Sequence, residues 1–426
     1  MPHNKKRKRT QNPQEKDSKI PLMQLSPKEL SYFRKRLLGE ALYEDLDTVN
    51  DDWIGPIQYF YEKEPKEFTT NQIKKLFDEL NEIKSNLLPF ADIVSELKNN
   101  IGIRTSSHEE FKRASRNIES NPYEYLCFNL DENPLVSRSA LKLCNIDAIT
   151  GFSLQNGKNR TFVDLCGAPG GFSQYLLYRN YTKGFGISLQ GKIEEGVGLK
   201  WNSSALSSPR FEIHNGADGT GDIYNWDNIL SLQKLIQNNI GHKQVDLVVA
   251  DGGIDAQRNV YSQETVAHKL VASQVAAALL LLNPGGTFII KVFGFLTDGS
   301  KALMDSISKL FQNFCILKPI TSRPASAERY LFCTDFQGLP NNFDILHWRS
   351  EIIECEQKTI SPGLYQFLGE NDLKMIILNT AACKKVINIL HDEEDRLRNS
   401  RRRRKLKYNS NDILIQHYKT KWRVIK

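Results

Sequence analysis

The stretch Thr161-Phe-Val-Asp-Leu-Cys-Gly-Ala-Pro-Gly-Gly-Phe172 decides the fold of this 426-residue chain. Its apolar first half predicts a short buried strand, and its glycines predict a loop whose backbone a ligand can approach closely. The residues that follow begin an amphipathic helix, whose free N–H groups face the same space. A nucleotide-like cofactor fits such a loop, although an ordinary tight turn fits it equally well. The spacing matches neither Gly-x-Gly-x-x-Gly nor a Gly-Lys-Ser/Thr phosphate loop.

Strand and helix patterns alternate from residue 161 onward, which is typical of a parallel, doubly wound α/β sheet of the Rossmann-like kind. The predicted strands are 161–166, 184–189, 245–250, 286–292, 314–318 and 329–334, and the predicted helices lie at about 171–180, 225–239, 261–282 and 299–312. The segment between the last two strands is too short for a helical crossover. We therefore expect a mostly parallel sheet with an antiparallel last strand.

The segments outside this alternating region have different patterns. Residues 1–25 lack apolar periodicity and are predicted to be a disordered basic tail. Apolar residues recur at helical spacing within 26–100, which predicts a helical N-terminal segment. The central domain is expected over 101–340, and 341–426 is expected to be a helical C-terminal extension with a basic run.

The formal net charge of +7 is concentrated in two short basic runs. Residues 1–20 carry seven Lys and Arg against Glu15 and Asp17, and residues 396–407 carry eight and no acidic residue. Each run can bind a phosphate backbone in a salt-dependent way, or simply be a solvated tail. Lys5-Lys-Arg-Lys-Arg9 also resembles a nuclear import signal.

The composition argues against a membrane protein, a secreted protein and a metal-binding protein. A content of 40% hydrophobic and 25% charged residues is typical of a soluble globular protein. The chain has no apolar run long enough for a membrane span and no secretory signal at its start, so no membrane association is expected. The seven cysteines are scattered without a Cys-x-x-Cys pair. We therefore expect reduced thiols and no metal site.

Polar residues lie where several apolar runs end. Asp251 and Lys291 each close a predicted strand, Glu328 precedes the final strand, and Lys142 lies on a helix before the sheet. Because ligands of open parallel sheets bind beyond the carboxyl ends of the strands, these positions are candidates for chemistry. Taken singly, each is an ordinary polar residue, since a strand-end lysine commonly extends to solvent.

Together, Lys142, Asp251, Lys291 and Glu328 match in order and setting the Lys-Asp-Lys-Glu tetrad of the FtsJ/RrmJ-type ribose 2′-O-methyltransferases. The glycine-rich loop resembles that family's S-adenosylmethionine loop, except that Cys-Gly-Ala-Pro-Gly-Gly stands where cap enzymes often have Cys-Ala-Gly-Pro-Gly-Gly. Within the family, the chain is most similar to eukaryotic and viral mRNA cap-1 2′-O-methyltransferases. This similarity rests on Asn121-Pro-Tyr-Glu, Gly219-Thr-Gly-Asp222-Ile, Ala250-Asp-Gly-Gly and Lys318-Pro-Ile-Thr-Ser-Arg-Pro-Ala-Ser-Ala-Glu-Arg-Tyr330, and it covers residues 100–335.

The resemblance implies an S-adenosylmethionine-dependent methyltransferase fold and an enzyme that methylates the ribose 2′-hydroxyl of the first transcribed nucleotide of capped RNA. Lys291 would be the general base, with Lys142, Asp251 and Glu328 as its catalytic partners. Burial and Lys142 lower the pKa of Lys291 whereas the carboxylates raise it, and the sequence leaves the net direction open. The implied cofactor contacts are Cys166, Gly167, Ala168, Pro169, Gly170, Gly171, Phe172, Asp222 and Ile223.

The resemblance also implies partners and a compartment. Residues matching RNA-contact positions are Arg104, Arg113, Arg116, Tyr261, Ser262, Gln263 and Ser326. Capped mRNA is the implied partner, together with transcription or capping machinery, and no metal is expected. The basic N-terminus favours the nucleus, whereas a viral enzyme would act in the cytoplasm.

Two other functions stay open at this point. One keeps the same chemistry and places the target ribose in ribosomal or transfer RNA. The other is a catalytically silent RNA-binding module of the same fold, against which the intact tetrad argues.

Overall fold

The computed structural model describes residues 70–100, 102–106, 109–110, 113–114, 136–191, 200–204, 206–253, 263–319, 321–355 and 359–398. The predictions for residues 1–25, for the first part of the helical N-terminal segment (26–69) and for 399–426 lie outside this part of the chain. In chain order the elements are α1 (Thr70–Asn100), α2 (Arg138–Ile149), β1 (Thr161–Leu165), α3 (Gly171–Tyr178), β2 (Lys183–Ile187), β3 (Phe211–His214), α4 (Trp226–Ile240), β4 (Val245–Ala250), α5 (Gln263–Leu281), β5 (Leu282–Val292), α6 (Asp298–Leu310), β6 (Phe311–Leu317), β7 (Arg329–Phe336), α7 (Ile345–Ile353) and α8 (Pro362–Arg398).

A seven-stranded sheet in the order β3-β2-β1-β4-β5-β7-β6 forms the centre of the described chain. The β1–β2, β1–β4, β2–β3 and β4–β5 pairs are parallel, and β7 is antiparallel to both of its neighbours. The predicted mostly parallel sheet with an antiparallel last strand is thus confirmed. β7 lies between β5 and β6, so the final strand is inserted into the sheet instead of extending its edge.

The strand order reverses between β1 and β4, which lie side by side with their helical connections leading in opposite directions along the sheet. Such a switch point opens a crevice at the carboxyl ends of the strands. The glycine-rich loop after β1 and Asp251 after β4 both lie at this crevice.

The core holds β1 rigidly beneath this loop. All five residues of β1 are buried, and its three apolar side chains belong to two apolar clusters on opposite faces of the sheet. Val163 and Leu165 pack with α4 and α5, whereas Phe162 packs with α2 and α3. Full burial of each such side chain contributes about 1.5–3 kcal/mol. Burial of β1 therefore fixes the position at which the glycine-rich loop begins.

α1 and α8 pack against each other through a third apolar cluster, which includes Leu80 and Val386. Leu296 and Ala325 also contact this cluster, and they belong to the segments that follow β5 and precede β7. The helix pair is thereby joined to the carboxyl end of the sheet. Among the described helices, none is long and apolar enough to cross a membrane.

Candidate active site

The glycine-rich loop after β1 packs tightly on the start of α2. Gly170 is the N-cap of α3 and has φ +105°, a left-handed conformation that glycine adopts without strain. Its N–H donates a hydrogen bond to Gly167 O at 2.7 Å, which closes the turn. At Gly171, a Cβ atom would overlap with the hydroxyls of Ser137, which precedes α2, and of Ser139 in its first turn. Larger residues at these positions would push the loop away from its support.

Asp164 is a fully buried carboxyl group in contact with Gly167. Its Oδ2 accepts hydrogen bonds from Ser173 N at 3.1 Å and Ser173 Oγ at 2.7 Å. Burial raises the pKa of Asp164 to about 7, against the opposing effect of these hydrogen bonds. In the part of the chain that the structure describes, Oδ1 is buried without a hydrogen-bond partner. An unsatisfied buried oxygen beside the loop fits a ligand that carries N–H or ammonium donors.

Cys166 is the first residue after β1 and opens the glycine-rich loop. Its N–H donates to Ile187 O at 2.7 Å, which ties the loop to the end of β2. Burial, together with the carboxylates of Asp164 and Asp222, raises the pKa of the Cys166 thiol to about 12. The thiol is therefore protonated at neutral pH, which argues against a nucleophilic role. Ile223 beside Asp222 is buried.

The other expected cofactor contacts complete the loop. Ala168 is buried, and Pro169 O accepts a hydrogen bond from Asn202 N at 3.0 Å. Phe172 is buried in α3, with its ring centroid 6.2 Å from that of Tyr330 in β7. Phe172 therefore connects the loop to the polar cluster at the ends of β4, β5 and β7.

That polar cluster brings the four residues of the expected tetrad together. Lys142 Nζ in α2 lies 2.8 Å and 2.9 Å from the two carboxylate oxygens of Glu328. Lys291 Nζ at the end of β5 lies 3.1 Å from Asp251 Oδ1 and donates to Asp251 O at 2.8 Å. Tyr330 bridges the two ion pairs, because its hydroxyl donates to Asp251 Oδ1 at 2.7 Å and its ring centroid lies 6.0 Å from Lys142 Nζ.

Strand register explains this arrangement. In the parallel β4–β5 pair, Ala250 is opposite Ile290, so the next residues along the two strands, Asp251 and Lys291, emerge side by side. In the antiparallel β5–β7 pair, Lys291 is opposite Tyr330. Because a shift of one residue would turn each side chain to the other face of the sheet, the buried apolar pattern of these strands also fixes the cluster.

The charges in the cluster influence one another strongly. Burial lowers the pKa of Lys291, but the carboxylates of Asp251 and Glu328 raise it, and the net result is a pKa above its ordinary value. Burial raises the pKa of Glu328, whereas Lys142, Lys291 and Lys318 lower it, and the net result is far below the ordinary value. At neutral pH, Lys291 is therefore a cation and Glu328 an anion.

Two residues of this site have no role assigned by the sequence patterns. They are Tyr330 and Lys318, which stand at the two ends of the segment 318–330. Lys318 Nζ donates to Ser322 Oγ, Arg323 O, Ser326 O and Glu328 O at 2.8–3.0 Å and so organises the loop before Glu328. The similarity to cap enzymes singles out this segment, but it does not distinguish these two residues from their neighbours.

The expected RNA-contact residues are only partly described. Arg104 and Arg113 are exposed, Gln263 opens α5 and lines a cavity with Phe293 and Ala327, and Ser326 Oγ accepts from Glu328 N at 3.2 Å. Ser326 thus shapes the loop that carries Glu328. Arg116, Tyr261 and Ser262 lie outside the described residues. Within the described ranges, no group of three His, Cys, Asp or Glu side chains is placed to hold a metal ion.

A mostly parallel sheet with a glycine-rich loop after β1 and a Lys-Asp-Lys-Glu cluster beyond the strand ends defines a Rossmann-like methyltransferase domain. Residues 135–336 match the model of the FtsJ-like methyltransferase family. This match covers just under half of the chain, and it confirms the resemblance to FtsJ-like methyltransferases that the sequence patterns indicate.

Curated relatives carry a more specific name. The chain is similar to the cap-specific mRNA (nucleoside-2′-O-)-methyltransferase 1 of Xenopus laevis, with 33% identity over 256 residues, covering 55% of this chain and 29% of the relative. The protein of the same name from Bos taurus is 34% identical over 245 residues, covering 53% and 28% of the two chains. That from Danio rerio is 28% identical over 340 residues, covering 70% and 39%. The chain thus spans less than two fifths of the length of each of these relatives.

Proposed function

We propose that this chain transfers a methyl group from S-adenosylmethionine to the ribose 2′-hydroxyl of the first transcribed nucleotide of capped mRNA. The proposal rests on two ion pairs beside the glycine-rich loop, Lys142–Glu328 and Lys291–Asp251. The name shared by the curated relatives and the segment 318–330 support the cap as the target.

The residues around the loop fit the cofactor. S-adenosylmethionine supplies a methyl group on a sulfonium centre, which is electrophilic without further activation. Asp164 Oδ1 fits an ammonium group, and Asp222 with Ile223 fits an adenosine, since a carboxylate accepts hydroxyl hydrogen bonds beside an apolar surface. The loop residues Cys166, Gly167, Ala168, Pro169, Gly170, Gly171 and Phe172 would form the floor of this site.

The chemical task of the protein is then to prepare the ribose hydroxyl. A hydroxyl is a weak nucleophile until it is oriented in line with the methyl group and its proton is removed. Lys291 Nζ in its neutral form would accept that proton and release it to solvent afterwards. Asp251 orients Nζ through both its carboxylate and its main-chain carbonyl. Because the same carboxylate raises the pKa of Lys291, the neutral fraction is small at pH 7 and grows as the pH rises.

The wider substrate contacts and the compartment belong to the same proposal. Arg104, Arg113 and Arg116 would bind phosphates, and Tyr261, Ser262, Gln263 and Ser326 would contact the cap-proximal nucleotides. Transcription or capping machinery would be the protein partners. The nucleus would be the site of action, since Lys5-Lys-Arg-Lys-Arg9 matches a nuclear import signal.

The test compares matched short RNAs with and without a cap, incubated with the protein and methyl-labelled S-adenosylmethionine. After digestion, the label should be found on the 2′-O-methylated first nucleoside of capped RNA alone. Equal labelling of both RNAs would overturn cap specificity, and label on a base would overturn the ribose mechanism. Lys291→Ala should abolish transfer while cofactor binding by calorimetry stays measurable. Lys243→Ala, at an exposed lysine before β4, is the matched control.

A further inference from the structure

The last described helix, α8, contacts the residue that follows Glu328. Arg329 opens β7, and its Nη2 lies 2.8 Å from Asp372 Oδ1 of α8, with both side chains 3% exposed. Arg329 Nη1 donates a hydrogen bond to Asn371 Oδ1, also in α8. Arg329 Nη2 also donates to Phe293 O at 3.0 Å. A buried guanidinium thus connects α8 to the start of β7 and to the end of β5.

Asp372 also contacts the segment that follows β5, in addition to Arg329 at the start of β7. Its two carboxylate oxygens accept hydrogen bonds from Phe295 N at 3.3 Å and 3.2 Å. Phe295 lies four positions after Lys291, in the segment that leaves β5. The carboxylate of Asp372 therefore fixes the main chain near Lys291 while its ion pair with Arg329 fixes the main chain next to Glu328.

A second contact from α8 holds the chain on the other side of Glu328. Asn379 Nδ2 donates to Pro324 O at 2.5 Å and to Ser326 O at 3.1 Å. Asn379 lies seven residues after Asp372, which is two turns of helix on the same face, or about 10.5 Å along the axis. From inside the loop, Lys318 holds Ser326 O and Glu328 O. Glu328 is thus flanked by supports from α8 on both sides.

These polar contacts are not needed merely to dock α8. The helix already packs on α1 through an apolar cluster that includes Val386 and Leu390. A buried ion pair adds little net stability compared with apolar residues of similar volume. The polar contacts of α8 instead fix the positions of nearby residues. Each of them involves a residue within four positions of Lys291 or Glu328.

We propose that α8 positions the Lys142–Glu328 pair, through the Arg329–Asp372 ion pair after Glu328 and the Asn379 amide before it. Asp372 and Asn379 are positioning residues, because they act through the main chain that carries Glu328. The proposal rests on the proposed function, in which Glu328 belongs to the methyl-transfer site. It assigns a role to the C-terminal helical extension.

The first test measures kcat and KM for methyl transfer to capped RNA by the full chain. Asp372→Asn and Asn379→Ala should each lower kcat by tenfold or more and leave KM for S-adenosylmethionine within twofold. Misplacement of catalytic groups by about 1 Å is enough for such losses. Asp392→Asn, at an exposed position further along α8, is the matched control. If kcat stays within twofold of the unaltered protein in both variants, the proposal is overturned.

A double variant separates positioning from stability. Arg329→Met with Asp372→Leu replaces the ion pair by apolar side chains of similar volume, which preserves packing without the hydrogen bonds. The polar groups that the pair leaves unbonded, such as Phe295 N–H, lower the melting temperature somewhat, so the assay is run at a temperature at which circular dichroism shows the variant to be folded. A positioning role predicts a loss of kcat of at least tenfold in this folded variant. Retention of full kcat by this folded variant would show that the ion pair only docks the helix, and the proposal would fail.

A third measurement does not depend on RNA. The side-chain ammonium resonance of Lys142, recorded by NMR in 15N-lysine-labelled protein, reports its pairing with Glu328. It should shift in Asp372→Asn, whereas the resonance of Lys183, which pairs with Glu212 at 3.2 Å elsewhere in the sheet, should not. An unchanged Lys142 resonance would overturn the positioning role. If the unaltered protein methylates no capped RNA, the proposed function fails, and this resonance still decides whether α8 positions the pair.

Discussion

The substitution Glu328→Gln tests the electrostatics of the tetrad because it removes one charge and keeps the shape of the side chain. In the structure, both carboxylate oxygens of Glu328 lie within 2.9 Å of Lys142 Nζ, and the two side chains are only 13% and 15% exposed. Loss of one partner from such a buried pair leaves an uncompensated charge, which costs about 3–5 kcal/mol. We expect the lower end of this range, about 3 kcal/mol at pH 7, since both groups retain some contact with water.

The pH dependence of this loss has a definite sign. The pKa of Glu328 in the folded protein lies below its ordinary value of 4.5, so its charge stabilises the fold above pH 4.5 and this contribution is lost as the pH falls further. The difference between the two proteins should therefore be constant from pH 7 to pH 5.5. Below pH 4.5 it should shrink by about 1.4 kcal/mol per pH unit, because Glu328 then takes up a proton in the unfolded chain but stays ionised in the folded protein, whereas glutamine takes up none.

The assay is urea unfolding followed by circular dichroism, at several pH values from 7 to 3.5, with the free energy of unfolding compared between the unaltered protein and the variant. Glu351→Gln is the control, because Glu351 is 64% exposed and its carboxylate lies 3.4 Å from His347 Nε2. An exposed pair of this kind contributes less than about 1 kcal/mol. A Glu328→Gln difference that is below 1 kcal/mol, or that does not depend on pH, would refute the reasoning.

Three further predictions concern the base, the loop and the basic run. Since the pKa of Lys291 is raised, kcat/KM for capped RNA should increase about tenfold per pH unit between pH 6.5 and 8.5, and a plateau below pH 8 would contradict a lysine base. Gly170→Ala should weaken S-adenosylmethionine binding at least tenfold by calorimetry, since φ is +105° and the new methyl group meets Leu206. Gly241→Ala, with φ +81° and open space around it, should leave binding unchanged. Deletion of residues 396–407 should weaken RNA binding and flatten its dependence on salt concentration, and an unchanged salt slope would show that this run contacts no phosphate.

The sequence predicts most of the sheet because most residues of six strands are buried in the core, which leaves a recognisable apolar pattern. β3 is missed because its four residues lie at the edge of the sheet and Phe211 alone among them is buried, so they carry almost no apolar pattern. The antiparallel direction of β7 follows from the short connection before it, but its insertion between β5 and β6 does not. That insertion depends on which strand edge buries the apolar face of β7, a property of the folded sheet.

The site likewise contains residues that the sequence pattern predicts and residues whose roles appear only in the folded protein. Asp251 and Lys291 are visible as polar residues that end apolar runs, and their order with Lys142 and Glu328 is a property of the chain alone. The roles of Tyr330 and Asp372 appear only through strand register and through a helix contact across 43 positions from Arg329. The direction of the pKa shift of Lys291 also needed the structure, because burial and the carboxylates act in opposite directions and only their distances decide.

Because α1 packs on α8, the first described helix cannot bury its apolar surface until the last one has been synthesised. These helices begin at Thr70 and Pro362, so almost the whole described chain lies between them. A nascent chain that has emerged from the ribosome only as far as β7 already contains Lys142, Asp251, Lys291 and Glu328, and its sheet can form. It still lacks the helix that contacts Arg329 and covers α1. The apolar surface of α1 is therefore exposed during translation until the final described segment arrives, which makes this surface the natural target for a chaperone at that stage.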